Sequence, residues 1–265
     1  MNNKVAKVSV VIPFFNSEKT IKRALDSVFA QTLPVAEVIV VNDASAAAST
    51  AALIGLINHC YLGRVKLINL NKNVGAGCAR NEGWNAATQP YIAFLDSDDI
   101  WLQRKVRTQY DFMKSNDHIM MTGHYSSFFN EVGEEEKIHN APYERVYFSR
   151  LIFKNKFITS SIMLKKNISV RFLDGMRYSE DFLLWMLISR MGECGIIKIK
   201  LSAMFKPSYG HSGLSSNLIR MEKGELKGLA FLIKNGYLNL FQYLSASIFS
   251  LIKFSLRFIK TYLRR

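Results

Sequence analysis

The chain has 265 residues, 49% hydrophobic, with 35 Lys+Arg against 21 Asp+Glu and three cysteines. Cys60, Cys78 and Cys194 form an odd, widely spaced set with no C-x-x-C pair, which excludes a disulfide scaffold and predicts a reducing compartment. Sparse Pro and Gly (5 and 15) with abundant apolar residues exclude a disordered or collagen-like polymer and leave one large domain, or one domain with an appendage.

The net charge of +14 is unevenly placed. Residues 1–100 carry 9 Lys+Arg against 8 Asp+Glu, whereas residues 201–265 carry 10 against 2, with no acid after Glu225. That asymmetry predicts a polyanionic partner for the C-terminal end, either a membrane or nucleic acid, over a basic active site.

In chain order, the apolar run that begins at Val8 is short, contains Pro13 and lacks a small-residue cleavage site, so it reads as a strand over 7–13 and not as a signal peptide. The chain is expected to stay in the cytoplasm. A helix over 18–31 follows, its apolar residues Ile21, Leu25, Val28 and Phe29 at helical spacing behind a Ser17 cap. Further strands are expected over 37–42, 65–70 and 91–95, each nearly continuous in hydrophobicity as buried parallel strands are. The loops after them hold Phe14-Phe15-Asn16, Asp43-Ala44-Ser45, a glycine-rich stretch and Asp96-Ser97-Asp98-Asp99, placed where such sheets bind ligands.

Asn73-Val74-Gly75-Ala76-Gly77 enters a helix carrying Arg80, an arrangement that can bring backbone N–H groups and a guanidinium to a diphosphate, although a lone Gly-x-Gly is often only a turn. No dinucleotide fingerprint or Walker sequence is present. The three carboxylates of Asp96, Asp98 and Asp99 repel one another unless a cation such as Mg2+ or Mn2+ lies among them; the same residues also read as an acidic cap for a helix starting near Trp101.

Residues 131–137 read as a charged turn and 157–164 as a strand. A helix begins near Ser179 with Glu180 and Asp181 in its first turn, residues that can act as a base or simply complement the helix dipole. A strand over 196–205 precedes His211. Beyond Tyr237, Lys253, Arg257, Lys260 and Arg264 form one basic stripe, which predicts an interfacial helix on anionic lipid; a core-covering helix with a solvated basic face is the alternative. A bilayer span is disfavoured by Asn239, Gln242 and the serines.

Four motifs carry a resemblance: Val-Ser-Val-Val-Ile-Pro-Phe-Phe-Asn, Val-Ile-Val-Val-Asn-Asp-Ala-Ser, Gly-Cys-Ala-Arg-Asn-Glu-Gly and Phe-Leu-Asp-Ser-Asp-Asp, in this order and spacing. The chain resembles the inverting family 2 glycosyltransferases, closely over 6–115 and more loosely over 155–217. The resemblance implies a GT-A nucleotide-sugar-binding fold of the α/β class, with a mostly parallel central sheet flanked by helices. That domain would span 1–217, a nucleotide-binding half over 1–115 and an acceptor-binding half over 116–217, followed by a basic amphipathic helical tail over 218–265.

The resemblance further implies that Pro13 and Phe15 line the nucleotide pocket, that Asp43 accepts a hydrogen bond from uracil, and that Arg80 faces the nucleotide. It makes Asp96 and Asp98 the motif for metal and ribose, with Asp98 preferred as the direct ligand. His211 is placed near the metal or diphosphate. Asp181 becomes the base and Glu180 its supporting residue. Ala44 stands where the family often has Gly, which bears on the shape of that turn.

The function implied is metal-dependent (Mn2+ or Mg2+) transfer from a UDP-sugar to an undecaprenyl-diphosphate-linked saccharide in surface-polysaccharide or O-antigen synthesis. Its setting would be the cytoplasmic face of the inner membrane, with peripheral attachment through the C-terminal helix and no nucleic-acid partner. The rival from the charge alone is a non-catalytic nucleic-acid-binding protein, which the near-neutral first hundred residues and their loop carboxylates argue against.

Overall fold

The computed structural model describes residues 4–129, 141–205 and 217–262. The expected turn at 131–137 and His211 lie outside them, as do Arg264 and the side chain of Lys260.

The β-branched runs form the strands that their hydrophobicity predicts. β1 (Ala6–Phe14), β2 (Val35–Asn42), β3 (Lys66–Asn69) and β4 (Tyr91–Phe94) make a parallel unit in the order β3-β2-β1-β4. The helices α1 (Ile21–Phe29), α2 (Ala47–Cys60) and α3 (Ala76–Ala86) supply the crossovers. Alternation along β1 serves both faces of the sheet: Val10 and Ile12 pack with Leu25, Val28, Leu53 and Ile57 of α1 and α2, whereas Val11 packs with Trp84 of α3 and with Phe94.

Past β4 the sheet becomes mixed. β5 (Ile100–Trp101), α4 (Lys105–Ser115), β6 (Ile119–Phe128), β7 (Tyr143–Arg145), α5 (Phe148–Leu151), β8 (Met163–Lys165), α6 (Glu180–Met191) and β9 (Glu193–Met204) follow in the chain. The sheet continues β4-β8-β6-β9-β5, with β7 also on β9. β8 runs antiparallel to both β4 and β6, and β6 and β9 are parallel. The parallel character is therefore confined to the first half and to the β6–β9 pair.

Three local expectations are corrected. Ser17 is no helix cap, because its hydroxyl donates to Phe15 O in the preceding turn and α1 starts after Thr20. No helix starts at Trp101, because that residue pairs with Ser202 as part of β5 and α4 begins at Lys105. Residues 157–164 are not one strand, since Thr159–Ser161 turn into a 3-10 helix before β8. For Ser17 a competing turn bond wins, and in the other two cases a tertiary partner overrides the local preference.

Two C-terminal helices complete the chain, α7 (Leu218–Lys234) and α8 (Leu240–Tyr262). α7 is part of the body: Leu229 and Leu232 are fully buried in the cluster that contains Trp185 of α6. A Cβ placed on Gly224 of α7 would lie 2.2 Å from Tyr178 O, so the helix approaches that backbone without a side chain between them. No helix among the described residues is long and apolar enough to cross a membrane.

α3 lies flush on the sheet through Gly83, where an added Cβ would sit 2.3 Å from Val11 Cγ1 and 3.1 Å from Val41 Cγ2. Both neighbours are buried branched side chains with little room to turn. Gly83→Ala should therefore lower stability by about 1–3 kcal/mol, the usual cost of overpacking, read as a lower urea midpoint at unchanged slope. An unchanged midpoint would mean that α3 slides off β1 at no cost.

Candidate functional site

The strand order reverses between β1 and β4, so the carboxyl ends of these two strands open the crevice in which parallel α/β sheets take ligands. β1 delivers Pro13 and Phe15 there, the latter 49% exposed, a large aromatic left in the open at the crevice mouth. β2 delivers Asp43 and β4 delivers the loop from Asp96 to Asp99.

Asp43 is buried and ties the glycine-rich loop to the sheet. Its Oδ1 accepts from the Val74 N–H at 2.7 Å, its Oδ2 from the Gly75 N–H at 2.9 Å, and its carbonyl from Asn73 Nδ2 at 3.1 Å. Gly75 has φ +91°, a conformation that favours glycine, and Arg177 lies over it, donating to Asn73 O at 3.0 Å. The exposed Arg177 guanidinium at the entrance to α3 is a cation that the sequence reading did not single out.

Arg80, one turn into α3, turns inward. It is buried, with Nη2 2.5 Å from Asp96 Oδ1, Nη1 3.6 Å from Glu180 Oε1, and its guanidinium above the Phe172 ring. Its charge meets two carboxylates of the site and not open solvent. A buried guanidinium is tolerable only when its desolvation is offset by such partners.

The 3-10 turn is the element that sequence reasoning missed. Thr159 Oγ1 donates to Asp181 Oδ2 at 3.1 Å, while the neighbouring Ser160 Oγ donates to Asp99 Oδ2 at 2.6 Å and accepts from the Asp96 N–H at 3.1 Å. Two adjacent hydroxyls thus hold the acidic loop and the start of α6 against each other. The only sequence signal was the Thr-Ser-Ser run itself. Arg23 of α1 adds a further hold, donating to Asp98 O at 2.6 Å while stacked on Phe205.

Burial and like charge raise the carboxyls. Asp99 is pushed up to about 8 by burial first and by Asp96 second. Glu180 is pushed up to about 7 by burial and then by Asp181, with Arg80 opposing. Asp181 is also raised by burial, against Arg80 and the hydrogen bonds from Phe182 N–H and Thr159.

The acidic loop suits a hard divalent cation by its donors, three carboxylates within four residues. Among the described residues no set of three His, Cys, Asp or Glu side chains converges on one point. Asp96 is turned to Arg80 and Asp99 to Ser160. An ion here would thus use one or two carboxylates and complete its shell with phosphate oxygens and water, the usual division for Mg2+.

The family model "Glycosyl transferase family 2" matches residues 9–175. An uncharacterized glycosyltransferase of Rickettsia bellii is 30% identical over 238 residues, covering 88% of this chain but 33% of the relative, so the chain spans about a third of that protein. The UDP-Glc:alpha-D-GlcNAc-diphosphoundecaprenol beta-1,3-glucosyltransferase WfgD of Escherichia coli is 28% identical over 237 residues, covering 86% of this chain and 87% of the relative. Among solved structures, S. aureus TarS 1-349 in complex with UDP-GlcNAc superposes with a TM-score of 0.67 at 19% identity, covering 91% of this chain and 70% of that one. That likeness carries the fold, the nucleotide-sugar GT-A type.

Ala44, in the turn that follows Asp43, has φ +52°, in the left-handed region. An L-residue with a Cβ is strained there by roughly 1–2 kcal/mol, part of which glycine returns through the entropy of the unfolded chain. Ala44→Gly should therefore raise stability by about 1 kcal/mol, seen as a melting temperature higher by about 2–4 °C. A lower melting temperature would show that the turn does not carry this strain.

Proposed function

The chain belongs to glycosyl transferase family 2, and we propose that it moves a sugar from a UDP-sugar onto a lipid-linked saccharide with inversion at the anomeric carbon. The observation that carries this reading is the continuous link Asp96–Arg80–Glu180, beside Asp181 held by Thr159, which joins the carboxyl end of β4 to the start of α6. One side of that link offers nucleotide and metal donors, and the other offers a base.

On the donor side, Phe15 and Pro13 give apolar contact to the base and the remaining lone pairs of Asp43 accept from the uracil edge. Asp96 serves the ribose. Asp98, with Asp96 beside it, would hold Mn2+ or Mg2+, which when bound supplies positive charge against the leaving diphosphate. Arg177 at the mouth of the glycine-rich loop adds an exposed cation on the same side. His211, which lies outside the described residues, would be a further donor to metal or diphosphate.

On the acceptor side, Asp181 takes the proton of the attacking hydroxyl. As the acceptor oxygen bonds to the anomeric carbon from one face, the bond from that carbon to the diphosphate oxygen breaks on the other. The proton passes to the Asp181 carboxylate and the electron pair leaves with UDP. Burial makes Asp181 more basic than a free aspartate, and its bonds to Phe182 N–H and Thr159 Oγ1 fix its direction. Glu180 stays on Arg80 and keeps the first turn of α6 in place.

The similarity to an enzyme whose name specifies a diphosphoundecaprenol acceptor supports a polyprenyl-diphosphate saccharide as acceptor here. Peripheral work at the cytoplasmic face of the inner membrane, in O-antigen or another surface polysaccharide, is part of the same proposal. In this reading 1–115 serves the nucleotide and 116–217 the acceptor, with α7 packed onto the same body.

Asp98→Ala should abolish transfer and remove metal-dependent UDP binding without lowering the melting temperature, measured by calorimetric titration of UDP with and without Mn2+. Wild-type turnover of this variant would refute the metal assignment. Asp181→Asn should keep UDP-sugar affinity and lose turnover by roughly 10²-fold or more, the contribution of a positioned base. If Glu180→Gln instead abolishes turnover while Asp181→Asn retains it, the base is the other member of the pair.

A further inference from the structure

The described members of the basic stripe, Lys253 and Arg257, do not face outward. Lys253 Nζ lies 2.6 Å from Glu225 Oε1 and donates to Phe153 O at 2.8 Å. Arg257 Nη2 lies 3.1 Å from Glu222 Oε2 and 3.6 Å from Glu225 Oε2, and Ser250 Oγ donates to Glu222 at 2.8 Å. Both glutamates are buried under α8, and the inner side of α8 is completed by Ala246. The expectation that these cations reach for anionic lipid is therefore corrected for Lys253 and Arg257: they are consumed within the protein.

The opposite face is apolar. Phe241, Leu244, Ile248, Ile252, Leu256 and Ile259 recur at helical spacing and are 79%, 49%, 58%, 52%, 56% and 53% exposed. The helix has 23 residues, about 35 Å at 1.5 Å per residue. It carries charges toward the protein and large hydrocarbons toward its surroundings, the reverse of what water selects. A contiguous stripe of this kind marks an interaction surface.

We propose that the outer face of α8 is the bilayer-seating surface of the enzyme, lying along the membrane plane with these six side chains in the acyl boundary. This deepens the lipid-linked-acceptor reading and rests on it for its purpose. Charge selects a bilayer over a second copy. Residues 201–265 hold 10 Lys+Arg against 2 Asp+Glu, a net of 10 − 2 = +8, and the two acids are the glutamates already paired under α8. The remaining cations, exposed Lys223, Lys227 and Lys234 of α7 among them, complement anionic headgroups and would repel the same segment of another chain. The chain order also fits. α8 packs on α7, and α7 packs against the start of α6 through Gly224 on Tyr178 and the hydrogen bond from Ser179 Oγ to Met221 O. One helix layer therefore separates the lipid-facing surface from the segment that carries Asp181.

Attachment by this face has a signature that a basic stripe lacks. The cations guide the protein to anionic lipid, whereas the hydrocarbon holds it, so bound protein should resist salt. The test is flotation of the full chain with phosphatidylcholine vesicles, with and without phosphatidylglycerol, at low and high salt and without sugar nucleotide or acceptor. The parent should float with both, more with the anionic vesicles, and stay bound to them in high salt. Leu244→Glu with Ile248→Glu, and separately Ile252→Gln with Leu256→Gln, should each cut the bound fraction at least tenfold while leaving melting temperature and UDP affinity unchanged. Parent-like flotation of both double variants would overturn the proposal. So would a parent that fails to float but runs as a dimer that the same substitutions disperse, because the face would then belong to a second copy. Neither result depends on Asp181 or on transfer, so the seating surface and the proposed reaction stand or fall separately.

Discussion

The buried guanidinium of Arg80 is the constraint around which the site is arranged. A permanent cation cannot be taken from water without anionic partners, and here they come from two distant parts of the chain, Asp96 after β4 and Glu180 at the start of α6. The parallel half of the sheet and the helical layer behind it are therefore joined at the point where chemistry is expected. Removing either carboxylate would leave charge unbalanced inside the fold, so the geometry of the acidic loop and the start of α6 is coupled to stability. Phe172, beneath the guanidinium and held by Asn81 through both its N–H and its carbonyl, closes the remaining side.

What could be read from sequence divides along physical lines. β1, β2 and β4 were legible because fully buried parallel strands need nothing beyond their own hydrophobic run, and the acidic start of α6 because a helix with a buried face announces itself by period. Pro13, Phe15, Asp43, Asp96 and Asp98 were found at strand ends because topology places those ends together. Thr159 and Ser160 were not found, because a hydroxyl that bonds a carboxylate across many residues leaves no periodic trace. The same holds for Ile100 and Trp101, whose strand exists only because β9 lies beside it.

α8 shows a different limit. Its sequence contains a basic stripe, which was read, and an apolar stripe, which the exposure of Phe241, Leu244 and Ile248 brought out. Which stripe faces the body depends on Glu222 and Glu225, a helix earlier, and on the serine that fits beneath them. Amphipathicity defines two sides without saying which is inside. The reading that cations must point outward fails here because two buried glutamates of the preceding helix receive them.

The pairing of Thr159 with Asp181 and of Ser160 with the acidic loop also bears on how such a fold can diversify. Consecutive Cα atoms are about 3.8 Å apart, so one residue inserted or deleted in this turn would move one hydroxyl away from its carboxylate while the other stayed. Length variation is thus closed to the turn and open to segments that touch neither carboxylate. New acceptor preferences would have to arise by substitution around a turn of fixed length. A library aimed at altered specificity would hold residues 159–161 constant and spend its diversity on the connections around β7 and on the approach to α6.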